Sequence, residues 1–145
     1  MKQKEIEFLL YRLFISRPKD FFAGVEELRT GMGGVLWYID AVGGSAFPAD
    51  IAKTLGISTA RVATILNKIE TGNYVSRSDS TEDARKTVVS ILPAGKEYLD
   101  CLRNRVLGVA NGVIEEIGRE DIEKYVSLSE KIKSVSEKHV KGAEQ

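Results

Sequence analysis

The residues best placed to do chemistry lie between Ser58 and Lys68. Arg61, Thr64, Asn67 and Lys68 recur every three or four positions, beside the small Thr59, Ala60 and Ala63. On a helix that spacing gathers them on one face. The face carries no acid until Glu70. Small residues let a backbone approach base edges, arginine can reach guanine bidentately, and threonine or asparagine can read bases or phosphates. Ser58, as N-cap, leaves helix amides free to meet a phosphate. Val62, Ile65, Leu66 and Ile69 form the opposite, apolar side. The same outer face would equally suit an ordinary helix turned to solvent.

A second cluster, Asp83-Ala84-Arg85-Lys86, ends a polar, turn-rich stretch. An arginine on a projecting loop suits a narrow minor groove, and its plainer reading is a solvated loop. Other chemistry is poorly supplied. The chain has one cysteine, Cys101, and one histidine, His139. That excludes an intramolecular disulfide, a cysteine zinc cluster and a histidine-centred triad. With no paired acid and base and no phosphate loop, we assign no catalytic residue, metal or cofactor and read the chain as no enzyme. Cys101 reads as a buried, inert thiol, with an oxidant sensor as the alternative. His139 is assigned nothing.

The elements that must position these residues are mostly helical. Ile6, Leu9, Leu10, Leu13 and Phe14 make an amphipathic stripe over 3–16, and Phe8, Tyr11 and Ile15 widen it. One helix with two apolar faces needs more than one partner, in another layer or another chain. A short helix is expected over 20–28. Another is expected over 31–42, with Thr30 as N-cap and Gly31, Gly33 and Gly34 making its start loose or closely packed. Residues 49–55, Gly56 and the helix from Ser58 form a helix-turn-helix, closed by Asn73 in a left-handed conformation. Residues 74–77 and 87–91 read as strands of a hairpin around the loop 78–84. Pro93 opens a long helix to about Ile117, Gly118 breaks it, and a last helix gives way to a frayed tail from 139.

This arrangement is a winged helix-turn-helix. The fold expected is mainly α with a small β-hairpin wing, flanked by N- and C-terminal helices. Residues 47–95 resemble the MarR family of bacterial transcriptional regulators. The stretch 50–58 resembles its first helix and turn, and 58–70 its recognition helix. Asp83-Ala84-Arg85-Lys86, followed by Ile91, Pro93, Ala94 and Gly95, resembles its wing motif. The flanking helices extend the likeness over nearly the whole chain. Three positions depart from the pattern. Leu92 stands where a threonine cap is usual, Gly72-Asn73 replaces a basic residue and glycine, and Thr64 stands where many members carry arginine.

The resemblance implies one chain, 1–145, with a DNA-binding lobe at 31–92 and a helical dimerisation region at 1–28 and 93–138. It implies a homodimer on a pseudo-palindromic operator of double-stranded DNA, recognition helix in the major groove and wing in the minor groove. Asp83 would steady Arg85. The DNA-contacting set expected is Lys53, Ser58, Thr59, Ala60, Arg61, Thr64, Asn67, Lys68, Arg77, Asp83, Arg85 and Lys86. For many members an effector cleft is also implied. Tyr11, Arg12, Trp37 and Tyr38 are its candidates for a small aromatic or anionic effector, with core packing as the plainer role for the aromatics.

The alternative is a winged-helix module that binds protein without specific DNA binding. Its outer face should be apolar, and 59–68 is not. Lysine plus arginine and aspartate plus glutamate both total 21, giving zero net charge. Zero argues against a polybasic binder but hides local excess. Residues 51–91 hold Lys53, Arg61, Lys68, Arg77, Arg85 and Lys86 against Glu70, Asp79, Glu82 and Asp83, a net +2. No apolar run is long enough to span a membrane. Glu5, Glu7 and Arg12 interrupt the first apolar stretch, so a cytoplasmic protein is expected.

Overall fold

Apolar periodicity and turn chemistry account for the order of elements. The structure, a computed structural model, describes residues 1–143. Helix α1 (Gln3–Ile15) follows the first apolar stripe and stops before Arg17-Pro18, where a pre-proline residue avoids helical geometry. Helices α2 (Lys19–Thr30) and α3 (Met32–Ala41) meet at Gly31. Thr30 is not the N-cap of α3. It is the last residue of α2, its hydroxyl donates to the Glu26 carbonyl at 3.3 Å, and Gly31 takes the cap position. The acceptor α3 needs comes from a carboxylate instead: the Gly33 amide donates to Glu27 at 3.4 Å.

The glycines at this elbow are closely packed. A Cβ on Gly33 would lie 2.5 Å from Leu102, and one on Gly34 would lie 2.5 Å from the Arg29 carbonyl oxygen.

After α3 come β1 (Ser45–Ala46), α4 (Pro48–Leu55), α5 (Thr59–Thr71), β2 (Val75–Asp79), β3 (Thr87–Ile91), α6 (Pro93–Ile117) and α7 (Arg119–Ala143). Gly56 turns between α4 and α5 at φ 67°, and Asn73 leaves α5 at φ 59°, the left-handed values that glycine and asparagine tolerate. The sheet is antiparallel in the order β1-β3-β2. It is thus three-stranded, not a bare hairpin, and the Ser45 and Ser90 hydroxyls meet at 2.8 Å across the added pair. Strand β2 runs two residues into the expected loop because pairing continues to Asp79 opposite Thr87. Helix α7 continues to Ala143, past the point where fraying was expected.

The core sits under the helix-turn-helix. Leu36 and Ile39 of α3, Ile51 of α4, Leu66 and Ile69 of α5, Val89 of β3 and Leu99 of α6 are almost fully buried. Each such side chain contributes about 1.5–3 kcal/mol relative to exposure. Gly95 lies so close to the Tyr74 carbonyl that a Cβ there would clash. The start of α6 therefore packs on the lobe, and the division into compact units falls inside α6, between Val106 and Leu107. Cys101 is exposed, contrary to the expected buried thiol, because Leu99 and Leu102 take the inward side of α6.

Two regions leave apolar surface uncovered. No residue of α1 is buried, and Phe8, Leu10, Tyr11 and Phe14 are each more than half exposed. In the second unit, Leu107, Ile117, Leu128 and Val140 are likewise more than half exposed. No described helix is long and apolar enough to cross a membrane.

Candidate nucleic-acid interface

Helix α5 is fixed from below and capped at its start. Val62, Ile65, Leu66 and Ile69 are buried, and the Ser58 hydroxyl accepts the Arg61 amide at 3.1 Å. Thr59, Ala60, Arg61, Ala63, Thr64, Asn67 and Lys68 are all exposed. Lys53 of α4 is exposed as well. The structure therefore brings the helical part of the expected set onto open surface of one helix-turn-helix.

Several of these side chains already have partners. The Arg61 guanidinium donates to the Thr30 carbonyl, Nε at 3.4 Å and Nη2 at 3.3 Å. It rests on the C-terminal end of α2, where the helix dipole favours a cation. Thr64 turns its hydroxyl back to the Ala60 carbonyl at 3.1 Å. Arg77 pairs through Nε with Glu70, and its Nη2 donates to Asn67 Oδ1 at 2.7 Å. Lys53, Lys68, Arg85 and Lys86 form no ion pair among the described residues.

The wing is closed by short bonds. The Ser80 amide donates to the Lys86 carbonyl at 2.8 Å, and the Lys86 amide to the Asp83 carbonyl at 2.9 Å. Buried Ser80 Oγ accepts the Glu82 amide at 3.3 Å. Asp83 Oδ1 accepts the Arg85 backbone amide at 3.0 Å. Asp83 thus steadies the loop that carries Arg85, while the guanidinium stays free of it. Lys86 Nζ lies 5.5 Å from the Phe47 ring centre, within cation–π range. That contact anchors the wing beside the start of α4.

The four effector candidates do not share a site. Trp37 lines a cavity of about 400 Å³ with Leu28, Arg29, Thr54, Leu55 and Arg103. Tyr38 lines a separate one of about 480 Å³ that includes Phe47, Asp50 and Glu82. Consecutive helix residues point about 100° apart, so Trp37 and Tyr38 face different spaces. Tyr11 and Arg12 stay on exposed α1, where Arg12 lies 5.8 Å over the Phe8 ring. Arg29 and Arg103, which do flank Trp37, escaped the sequence reading. They come from different helices, and no spacing rule connects them. Among the described residues, no group of three or more His, Cys, Asp or Glu could hold a metal.

Residues 33–86, which span α3, the helix-turn-helix and the wing to Lys86, match the model of the MarR family. Over this segment the chain is similar to the MarR family. No curated protein matches the chain in sequence. Solved structures give the same fold beyond the matched segment. A MarR family transcription regulator superposes with a TM-score of 0.70 at 18% identity, covering 95% of this chain and 96% of its own. A mutant of Staphylococcus aureus MepR bound to an oligodeoxyribonucleotide gives 0.55 at 18% identity, covering 90% and 97%. Bordetella bronchiseptica BpsR, whose DNA binding is regulated by 6-hydroxynicotinic acid, gives 0.61 at 18% identity, covering 88% and 92%. The chain has the fold of MarR winged-helix regulators over nearly its full length.

Proposed function

We propose that this chain is a homodimeric, sequence-specific DNA-binding regulator that represses transcription by occupying promoter DNA. The observation that carries the reading is the outer face of α5, exposed and free of acid from Thr59 to Lys68, beside a wing whose Arg85 and Lys86 are also exposed. In this reading α5 enters the major groove and the wing reaches the minor groove. The Ser58 cap leaves amides at the start of α5 for a phosphate. The MepR structure bound to an oligodeoxyribonucleotide supports the same use of the fold.

Dimerisation joins 1–28 with 93–138 of two chains, and the first turns of α6 serve both this region and the reading lobe at 31–92, on which they pack. The uncovered apolar side chains of α1 and of the second unit support it, since monomeric proteins rarely leave large apolar patches in water. Two lobes then address half-sites about 10 bp apart. A small aromatic anion is the effector we assign, in the cavity at Trp37, where Arg29 and Arg103 would meet its charge. BpsR, regulated by an aromatic acid, supports that class. An effector there would alter the spacing of the two lobes.

Selection of bound sequences from random DNA, with and without aromatic acids, tests the proposal. A palindromic consensus is expected, weakened by one of the acids. Recovery of no enriched sequence would overturn the DNA-binding reading.

A further inference from the structure

The pair Arg77–Asn67 bears on which bases the recognition helix can accept. Arg77 stands on β2, opposite Val89. Its Nε is held by Glu70, and its Nη2 donates to Asn67 Oδ1 at 2.7 Å. A guanidinium only donates, so the Asn67 amide must turn its oxygen toward β2 and its NH₂ away. Asn67 is exposed, on the same outer face as Ala60, Ala63 and Thr64.

We infer that Asn67 meets DNA as a hydrogen-bond donor only, so that it rejects cytosine instead of selecting adenine. The inference rests on the DNA-binding reading above. Asparagine selects adenine by accepting from N6 and donating to N7 with both amide atoms at one base edge. Here Oδ1 is turned toward Arg77 on β2, so the two amide atoms are not presented together to one base edge and the NH₂ is the atom left facing outward. The NH₂ can still donate to guanine O6 or N7, adenine N7 or thymine O4. Cytosine shows only its N4 donor in the major groove, which an NH₂ cannot satisfy. Arg77 is then a positioning residue, acting on specificity through the orientation of Asn67.

Selection from random DNA by the full chain tests this, with melting temperatures as the check on folding. The wild type should show one position per half-site that excludes cytosine and tolerates the other bases. Asn67→Ala should erase that exclusion. Asn67→Asp keeps an acceptor for Arg77 but offers an oxygen to the groove, so the same position should turn toward cytosine. Arg77→Met frees the amide and should shift the position toward adenine by about tenfold. Arg77→Lys, which still donates, should restore the wild-type pattern; if Arg77→Met fails to fold, this variant and the two at Asn67 decide. A strict adenine requirement in the wild type, or identical profiles for wild type and Asn67→Ala, overturns the inference. A wild type that enriches no sequence overturns the DNA-binding reading along with it.

Discussion

Three arginines of the same lobe stand in three different electrostatic situations. Arg77 is held by Glu70 and Asn67, Arg61 rests on a backbone carbonyl, and Arg85 has no ion-pair partner among the described residues. Arg85→Ala should therefore weaken binding to every DNA and lower the salt dependence by about one phosphate contact. Titrations at two salt concentrations check it; unchanged affinity would remove the wing from the interface. Arg61→Ala should cost about 1–3 kcal/mol on the cognate site and little on random DNA. Equal losses on both would assign Arg61 to phosphates. Tyr98 gives a prediction in alkali. Burial, followed by the charge of Glu27, raises its phenol above the ordinary value near 10. The folded state thus favours the neutral phenol, and that stability is present below pH 10 and lost as the pH climbs through the raised value. Tyr98→Phe should flatten this alkaline loss in a pH series of thermal melts. Residue types and exposed faces were legible in the sequence, whereas partners were not. Asn67 and Arg77 lie ten positions apart on different elements, and a carbonyl such as that of Thr30 has no identity to read.

At the scale of elements, local chemistry was legible wherever one residue decides a geometry. Ser58 caps α5, Gly56 makes the turn, and Asn73 ends the helix at a left-handed φ. Ser58→Ala should cost about 1 kcal/mol, read from denaturant unfolding, because the Arg61 amide loses its acceptor. What failed depended on neighbours. Thr30 has the right side chain for a cap, yet α2 runs through it and Glu27 supplies the acceptor from one turn earlier. Strand β1 has two residues, too few for any alternation, and only its place against β3 makes it a strand. The glycines of the elbow were legible as a choice between looseness and tight packing. Backbone contact at Gly34 decides for packing. Gly34→Ala should destabilise by about 1–3 kcal/mol, since the obstacle is the Arg29 carbonyl rather than a side chain that can swing away. A melting temperature equal to wild type would contradict the close approach.

At the scale of the molecule, zero net charge is the sum of unlike parts. The segment 51–91 carries a net +2, with Lys53, Lys68, Arg85 and Lys86 free of ion pairs among the described residues. So modest a local charge should give modest non-specific affinity and leave recognition to base contacts and paired lobes. The wide apolar surface of α1 was legible as a demand for partners, and in a single chain the demand is unmet. Leu10→Glu should shift sedimentation from dimer to monomer and weaken operator binding far more than it changes the melting of the lobe. A dimer that survives it would place the interface elsewhere. The elbow between α2 and α3 has a mechanical consequence at this scale. Gly34 sits directly on the Arg29 carbonyl, the Arg29 side chain borders the cavity at Trp37, and the next carbonyl holds Arg61. In the proposed regulation, a guest that displaced Arg29 would act on a backbone with no room beside it for even one methyl group, and the tip of α5 would be the next part in the linkage.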